Sequence, residues 1–310
     1  MGAGRLKFII TGADGQVGTA LAACLAARGQ ECFAFGRRDL DITSRRQVMD
    51  VVKRVRPSAV INCAAYNHVD RAESEPDMAY AINRDGPRHL ADACAATGSI
   101  LVHYSTDYVF DGYQVGAYSE DALAQPLGVY GASKLAGEHE VLGSNAAHLV
   151  LRVSWVFGRI GKSFIDDVLK WADNGPLKVV TDQRSVPCDA VALAAATVDA
   201  VSTLRERPEL SGLYHFAAGS PVTRHEYASR ILNRAAEIGL VRPVPIEAVS
   251  SSYFATAATR PRNSTLAGDR FERAFGAAVE SWEEGLFEYL DLLRDRRDAD
   301  TSLIAQGKLA

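Results

Sequence analysis

Short apolar runs alternate with longer helical patterns through the first half of the chain. The runs KFIIT, CFAF, AVINCA, ILVHYS and HLVLRVS are apolar at successive positions, as expected of strands that are buried on both faces. The stretches between them have helical spacing or are rich in alanine, and they include GTALAACLAARG, SRRQVMDVVKRV and residues 73–97. This alternation predicts an α/β fold, a doubly wound parallel sheet of the Rossmann-like type with helices on both faces.

After Trp155 the alternation becomes less regular, which predicts a smaller C-terminal substrate-binding lobe. SFIDDVLKWADNG is typical of a helix closed by glycine, LKVVT of a strand and AVALAAATVDAVSTL of a further helix. Thr223 and Glu226 have capping-box spacing before YASRILNRAAEIG, so we assign them to helix initiation rather than to catalysis. We expect a dinucleotide-binding domain at residues 1–155, rejoined by about 178–205, and the substrate-binding lobe at residues 156–310.

Two late segments are predicted to be irregular. VPIEAVSSSYFATAATRPRNSTL lacks periodicity, and its length favours a loop that contacts a ligand. SWEEGLFEYLDLLRD predicts the last helix, and the residues after it are expected to form a frayed end.

Pro87 lies inside the helical stretch at residues 73–97. Because proline has no backbone N–H, the carbonyl of Asn83 would lose its usual helical partner and the helix would bend. We hypothesise that this carbonyl or the Asn83 side-chain amide binds water behind the active site.

Composition and charge exclude several classes of function. With 47% hydrophobic and 23% charged residues, the 310-residue chain is typical of a soluble globular protein. A net charge of −4 argues against binding to nucleic acid or to a membrane surface, and no apolar run approaches the roughly 20 residues of a membrane span. The five cysteines are widely spaced and never form CxxC, which predicts free thiols and a cytoplasmic location. No histidine has a His or Cys neighbour at metal-ligand spacing, so no metal site is expected.

A glycine-rich turn, TGADGQVG, directly follows the first predicted strand. Gly12, Gly15 and Gly18 stand where the chain passes from that strand into the first helix. Glycines at this junction permit a tight turn and let backbone N–H groups approach a pyrophosphate at the helix N-terminus. The turn therefore predicts a dinucleotide cofactor.

The end of the second predicted strand indicates which cofactor that is. Folds specific for NAD usually place a carboxylate there to bind the ribose hydroxyls, but this chain has Arg37 and Arg38 after a glycine. Guanidinium groups pair with a 2′-phosphate, which favours NADPH. NADH stays as the alternative, because Asp39 could fold back into the carboxylate role.

Tyr130 and Lys134 lie four residues apart in VYGASKLAGE, so on a helix they share one face. A phenol with a pKa near 10 is a slow acid at neutral pH, and a nearby lysine cation and oxidised nicotinamide would lower its pKa. Tyr130 could then give its proton to a carbonyl oxygen as hydride reaches the carbon. Ser105 and Thr106, at the end of the fourth predicted strand, offer a further hydroxyl, and we select Thr106 as the catalytic one.

These motifs resemble the extended short-chain dehydrogenase/reductase superfamily and, within it, the dTDP-4-dehydrorhamnose reductase family. The resemblance extends over the whole chain, through CAAYNHVDRAESEP, HYSTDYVFDG, VYGASKLAGE and LRVSWVFG to RPRNSTL. It implies that Gly15, Gln16 and Val17 line the cofactor phosphates and that Asp41 and Ile42 flank the adenine. Ala65, Tyr66 and Asn67 would lie along the nicotinamide half.

The resemblance also implies how the substrate is bound. Thr106 and Asp107 would contact the sugar, Tyr130 would donate the proton and Lys134 would hold the nicotinamide ribose. Trp155 would stack on the ligand. Charge makes Arg260 a partner for the nucleotide diphosphate. Cys188 stands where a threonine is expected, which is a departure from the family pattern. The metal-bridged dimers described for some members are not carried over, and a homodimer stays open.

The expected activity is the NADPH-dependent reduction of the C4 keto group of dTDP-6-deoxy-L-lyxo-4-hexulose to dTDP-L-rhamnose. One alternative is the reduction of another dTDP-4-keto-6-deoxysugar. A second is a non-catalytic, NADP-binding subunit that resembles the β subunit of methionine adenosyltransferase. Nucleotide-sugar dehydratases and epimerases share the tyrosine–lysine pair, but a dehydratase needs a second carboxylate after Thr106, and Tyr108 stands in that place.

Overall fold

The computed structural model describes residues 5–276 and 280–305 of the chain. Six strands in these ranges form one parallel sheet, and the other six form three two-stranded pairs. In chain order the strands are β1 (Lys7–Thr11), β2 (Glu31–Phe35), β3 (Ala59–Asn62), β4 (Ile100–Thr106), β5 (His148–Val153), β6 (Val156–Phe157), β7 (Leu177–Val180), β8 (Arg184–Ser185), β9 (Cys188–Asp189), β10 (Gly212–His215), β11 (Val222–Thr223) and β12 (Ile246–Val249).

The order of the large sheet is β10-β5-β4-β3-β1-β2, and all of its neighbouring strands are parallel. The chain runs outward from β1 to β2 and then returns to β3 on the other side of β1. A crevice therefore opens at the carboxyl ends of β1 and β3, which is where doubly wound sheets bind ligands.

Helices cover both faces of this sheet. In chain order they are α1 (Gln16–Ala27), α2 (Arg45–Val55), α3 (Val69–Ala72), α4 (Pro76–Tyr80), α5 (Gly86–Thr97), α6 (Val129–Leu142), α7 (Phe164–Ala172), α8 (Ala190–Glu206), α9 (Arg224–Glu237), α10 (Asp269–Phe275) and α11 (Trp282–Ala305). Leu21 of α1 and Leu193 of α8 pack on one face, and Val48 of α2 and Leu90 of α5 pack on the other. The doubly wound α/β fold that the sequence predicts is confirmed.

A second hydrophobic core lies outside the large sheet. It joins Ile165 of α7, Tyr227 of α9 and Trp282 of α11, with the pair of β7 and β12 beside them. Residues 190–215 return to the large sheet, because α8 packs against α1 and β10 pairs with β5. Residues 177–180, in contrast, form β7 of the small pair.

Some local predictions are confirmed and others are wrong. The capping box exists: the Thr223 hydroxyl accepts from the N–H of Glu226, whose carboxylate accepts from the N–H of Thr223. The late segment predicted to be irregular contains β12, because its backbone pairs with β7. The last helix continues to Ala305 instead of fraying after Asp295, and half of the ten added residues are good helix formers, namely Arg296, Arg297, Ala299, Leu303 and Ala305. Residues 306–310 lie outside the described part of the chain.

The helical stretch at residues 73–97 is interrupted by a π-helical turn, Ala81–Asp85. Pro87 is the second residue of the following helix α5 and cannot donate to the carbonyl of Asn83, so the turn widens there, as π-bulges do in functional helices. Among the described residues, no helix combines the length and the apolarity that crossing a bilayer requires.

Candidate active site

The turn after β1 depends on glycine for its shape. Gly12 has φ +64°, and a Cβ there would lie 2.6 Å from the backbone nitrogen of Ala64. A Cβ on Gly18 would lie 2.5 Å from the carbonyl oxygen of Gly12. Because Gly15 is the N-cap of α1, no cap side chain occupies the first N–H groups of that helix. These groups stand at the ligand-binding edge of the sheet, where they suit the anionic phosphates of a dinucleotide.

Three adjoining cavities follow this edge. The central cavity (510 Å³) shares Gly15, Ala65 and Asn67 with the lateral cavity (1090 Å³), and it shares Arg224 with the outer cavity (780 Å³). Of the site residues predicted from the sequence, the central cavity is lined by Gly15, Gln16, Val17, Ala65, Asn67, Thr106, Asp107, Tyr130, Lys134 and Trp155. The lateral cavity is lined by Gly12, Gly15, Arg37, Asp41, Ile42, Ala65, Tyr66 and Asn67.

Two predicted site residues lie apart from that group. Arg38 is exposed and lines none of the three cavities. Arg260 lines the outer cavity. Cys188, the departure from the family pattern, is buried in the hydrophobic core beneath the large sheet and lines none of the three.

Thr106, Tyr130 and Lys134 meet in the central cavity. The hydroxyl of Thr106, the last residue of β4, is hydrogen-bonded to the phenol of Tyr130 on α6. Lys134 lies one turn further along α6, is 2% exposed and donates from Nζ to the carbonyl oxygen of Tyr104 at 2.5 Å. Burial lowers the pKa of Lys134 to about 8.

The pKa of Tyr130 differs from the sequence-based expectation. Removal of the phenol from solvent raises its pKa, and the hydrogen bond with Thr106 opposes that rise. Lys134 is not among the groups that shift this pKa, and its ammonium group donates to the Tyr104 carbonyl. The phenol is therefore protonated at neutral pH, which is the form that can donate a proton.

Asp107 links the two lobes beneath the cavity floor. Its Oδ2 accepts hydrogen bonds from Ser185 at 3.2 Å and from Ser264 at 2.5 Å, and its Oδ1 accepts from Thr106 at 3.1 Å. Burial raises the pKa of Asp107 to about 6 although these hydrogen bonds act in the opposite direction. The late segment RPRNS, which contributes Ser264, is thereby attached to the end of β4.

The π-helical turn builds the wall behind Tyr130. Oδ1 of Asn83 accepts from the N–H of Tyr66, and its Nδ2 donates to the Tyr66 carbonyl and to Ser133 on α6. Both N–H groups and the oxygen of the amide thus have protein partners, so the part of the hypothesis that gives this amide a water is wrong. The Asn83 carbonyl faces Gly137, whose missing side chain lets α6 approach. The binding of a water molecule to this carbonyl stays a prediction.

Carboxylates near the end of β2 are already engaged. Asp39 folds back and accepts from the N–H of Gly36 at 2.9 Å, and Asp41 accepts from the N–H and hydroxyl of Thr43 at 2.9 and 2.8 Å. Arg37 is exposed and lines the lateral cavity. Arg37 therefore offers a guanidinium group to a ligand at this position, whereas Asp39 and Asp41 are engaged.

Trp155 and Arg224 form the wall between the central and outer cavities. Trp155 has φ +43°, a conformation that is uncommon for a non-glycine residue and concentrates at functional sites. The Arg224 guanidinium stacks on its ring at 3.7 Å and on that of Phe164 at 4.7 Å. Arg224 is hydrogen-bonded to the phenol of Tyr108, and none of the ion pairs found within residues 5–276 and 280–305 includes it.

Arg260 is in a different electrostatic state. Its two terminal nitrogens bind Asp70 at 3.1 and 2.6 Å, and this hydrogen-bonded pair lowers the pKa of Asp70. The charge of Arg260 is thus neutralised by a residue of α3, whereas Arg224 keeps its charge available to a ligand.

Comparison with known proteins identifies the family. A family model described as the RmlD substrate binding domain matches residues 6–294. A dTDP-4-dehydrorhamnose reductase from Sinorhizobium fredii is 36% identical over 282 residues, which are 90% of this chain and 95% of the relative. The chain belongs to the dTDP-4-dehydrorhamnose reductase family.

Solved structures of this reductase family have the same fold. The dTDP-4-dehydrorhamnose reductase of Bacillus anthracis, solved in complex with NADP, has a TM-score of 0.85 and 34% identity, covering 92% of this chain and 98% of its own. The orthologue from Clostridium acetobutylicum has a TM-score of 0.86 and 32% identity, covering 93% and 100%. The resemblance inferred from the sequence motifs is confirmed.

Sequence reasoning missed several residues that line the reductase cavities. Arg224 directly follows Thr223, and the capping box offered a sufficient explanation for the polar residues of that segment. Tyr108 follows Asp107, and it was considered only as a missing carboxylate. Asn62 ends β3 and accepts from Thr11 at 2.7 Å; a polar residue after three apolar ones was a usable signal.

Proposed function

We propose that this protein catalyses the NADPH-dependent reduction of the C4 keto group of dTDP-6-deoxy-L-lyxo-4-hexulose to dTDP-L-rhamnose. It would then be an oxidoreductase acting on CH–OH groups with NADP as the partner. The observation that carries the proposal is the meeting of Thr106, Tyr130 and Lys134 in one cavity that begins at the free N-terminus of α1. The names of the relatives support the same substrate, and the NADP bound to the Bacillus anthracis relative supports the same cofactor.

The three cavities suit the parts of the cofactor and substrate. The N–H groups after Gly15 would bind the cofactor phosphates, and the buried oxygen Oε1 of Gln16 has no hydrogen-bond partner within the described residues, which leaves it available to a ligand. The lateral cavity would hold the adenosine, with Arg37 at its 2′-phosphate. The central cavity would hold the nicotinamide and the sugar ring.

When bound, NADPH supplies the hydride that reaches the C4 carbon of the sugar. Tyr130 gives its phenolic proton to the C4 oxygen as the carbonyl becomes an alcohol, and Thr106, whose hydroxyl donates to Asp107, would touch the sugar and orient the phenol. The phenolate left on Tyr130 is reprotonated from solvent, and Lys134, on the same face of α6, would hold the nicotinamide ribose. Trp155 would stack on the sugar face and Asp107 would fix Thr106 from below.

Arg224 is the better candidate for the substrate diphosphate. The sequence favoured Arg260, but that side chain is paired with Asp70. Arg224 faces both the central and the outer cavity and is held flat by Trp155, so it can meet a phosphate placed between the sugar and the nucleoside. The outer cavity would then accept the thymidine.

The same reasoning assigns roles to the two parts of the chain. We propose that residues 1–155, together with the segment that returns to the large sheet, bind the cofactor and that residues 156–310 bind the nucleotide sugar. A cytoplasmic location would follow from the pathway in which the relatives act.

The test is NADPH oxidation, followed by absorbance, with dTDP-4-keto-6-deoxyglucose in the presence and absence of a 3,5-epimerase. Turnover only with the epimerase supports the proposal, and Tyr130→Phe should then abolish it. Turnover without the epimerase would assign the protein to another deoxysugar. NADPH binding without any turnover would favour the regulatory subunit.

A further inference from the structure

A fully buried ion pair lies behind the catalytic face of α6. Glu138 stands one turn after Lys134 and two turns after Tyr130, and it is 1% exposed. Its carboxylate accepts two hydrogen bonds from Arg152 of β5, from Nε at 2.8 Å and from a terminal nitrogen at 2.6 Å. The hydroxyl of Ser105, the neighbour of Thr106, donates to the same carboxylate at 2.5 Å.

Further contacts complete the far side of this pair. Arg152 lies over the ring of Phe110 at 5.0 Å and approaches Nε2 of His215 at 3.4 Å. Nδ1 of His215 faces the carbonyl oxygen of Tyr118 at 3.1 Å, and burial lowers the pKa of His215 to about 3. The imidazole is therefore neutral, with Nδ1–H donating to the carbonyl and Nε2 free to accept from Arg152.

An ion pair removed from water in this way rarely adds net stability, because desolvation of both groups offsets their attraction. Its place behind an active site therefore calls for a functional reason. Its position offers one, since the carboxylate shares a helix face with a lysine that is itself withdrawn from water.

The groups that face Lys134 come from three elements. Cys63 follows β3, and burial keeps its thiol neutral by raising the pKa. His103 and Tyr104 belong to β4; burial lowers the pKa of His103, so its ring is neutral, and Tyr104 presents its carbonyl oxygen. Glu138 of α6 is thus the anionic group that acts on the lysine, and it favours the charged ammonium.

We propose that Glu138 is a positioning residue, which keeps Lys134 in its ammonium form and, through Ser105 and Arg152, holds α6 against the ends of β4 and β5. This inference rests on the proposed function, because it assigns a role within the same site. In the free protein the carboxylate opposes the loss of the lysine charge that burial promotes. During reduction the retained ammonium would hold the nicotinamide ribose beside Tyr130.

The decisive variant is Glu138→Gln, which keeps the shape and one oxygen acceptor but removes the charge. The chain has seven lysines, so the ε-carbon resonances of ¹³C-lysine can be titrated by NMR, with Lys134 assigned by its loss in Lys134→Met. We expect the pKa of Lys134 to fall by at least about one unit. The alkaline limb of the kcat profile should move by the same amount, which lowers kcat about fivefold at pH 8 and little at pH 6.5.

Two further variants separate positioning from folding. Glu138→Asp keeps the charge and should restore the titration of Lys134 towards its original pH. If Glu138→Gln fails to fold because Arg152 loses its partner, the double variant Glu138→Gln/Arg152→Met removes both charges. Its Lys134 pKa should still fall, but by less, because loss of the Arg152 cation acts in the opposite direction. Glu120→Gln is the matched control: this buried carboxylate binds the N–H of His215 and pairs with Arg270, and its loss should leave Lys134 unchanged.

An unchanged titration of Lys134 in Glu138→Gln or in the double variant would overturn the inference. A shifted titration of Lys134 without a matching shift in the pH profile of kcat would also overturn the inference. The NMR measurement needs no substrate, so it can support or refute the electrostatic role even if the wild-type protein proves inactive with the keto sugar, in which case it is the proposed function that fails.

Discussion

Replacing Gly137 with alanine tests the contact that seats α6 against the π-helical turn. An added Cβ would lie 2.0 Å from the carbonyl oxygen of Asn83, whereas carbon–oxygen contacts in proteins rarely fall below about 3.3 Å. The two segments would therefore have to separate by about 1.3 Å. Because the obstructing atom belongs to the backbone, no side-chain rotation relieves the clash.

The magnitude follows from two opposed effects. Overpacking of a core costs about 1–3 kcal/mol, and alanine recovers about 1 kcal/mol over glycine through helix propensity. Because a backbone carbonyl yields little, we expect the free energy of unfolding to fall by about 2 kcal/mol, or about 3 °C in Tm for a chain of this length. Since α6 carries Tyr130 and Lys134, kcat should also fall, by up to about 100-fold.

The assay is thermal and denaturant unfolding together with steady-state kinetics. Gly143→Ala is a control at the end of the same helix, where the backbone has φ −81° and an added Cβ would be 3.1 Å from the His139 carbonyl oxygen. It should change stability by less than about 0.5 kcal/mol and leave kcat unaltered. A Gly137→Ala protein with the wild-type Tm and kcat would refute the reasoning, because it would mean that α6 is not seated by this contact.

Three more predictions concern charge. Arg224→Gln should raise the KM for the nucleotide sugar about 30-fold, and Arg260→Gln should raise it less because Asp70 already neutralises Arg260; steady-state kinetics showing the reverse order would contradict the assignment. Arg37→Ser should raise the KM for NADPH about tenfold and leave that for NADH unaltered, and equal changes for both cofactors would exclude a 2′-phosphate contact. Because burial raises the pKa of Asp107 to about 6, the folded protein retains a proton that the unfolded chain releases, so the wild type should lose about 3 kcal/mol of stability as the pH rises from about 4 to above 6. Asp107→Asn should lack that loss. If urea unfolding shows the same change in unfolding free energy between pH 4.5 and 7 for both proteins, the prediction is wrong.

Most of the large sheet was predictable because its strands are buried on both faces. Runs such as ILVHYS have no polar face, and that pattern has few explanations other than a parallel sheet under helices. The glycine turn and the tyrosine–lysine pair were predictable for a related reason, since their chemistry depends on residues close together in the sequence. The capping box at Thr223 is equally local.

Features that depend on distant partners were not predictable. The pairing of β12 with β7 joins residues about 70 positions apart, and neither strand has strong periodicity. Arg260 and Arg224 look alike in the sequence, and only the position of Asp70 shows which one is neutralised. The π-helical turn follows from Pro87, but the hydrogen bonds that Asn83 makes to Tyr66 and Ser133 require the folded chain.

The hydroxyls on Asp107 limit how this protein can be recombined with its relatives. Ser185 and Ser264 come from two separate parts of the second lobe, yet both donate to one carboxylate at the end of β4. A chimaera joined anywhere between residues 158 and 184 would take the carboxylate from one parent and both serines from the other. Parents that differ at any of these three positions would break part of this set of hydrogen bonds inside the fold, so exchange of substrate lobes should succeed only when the three residues are transferred as a set.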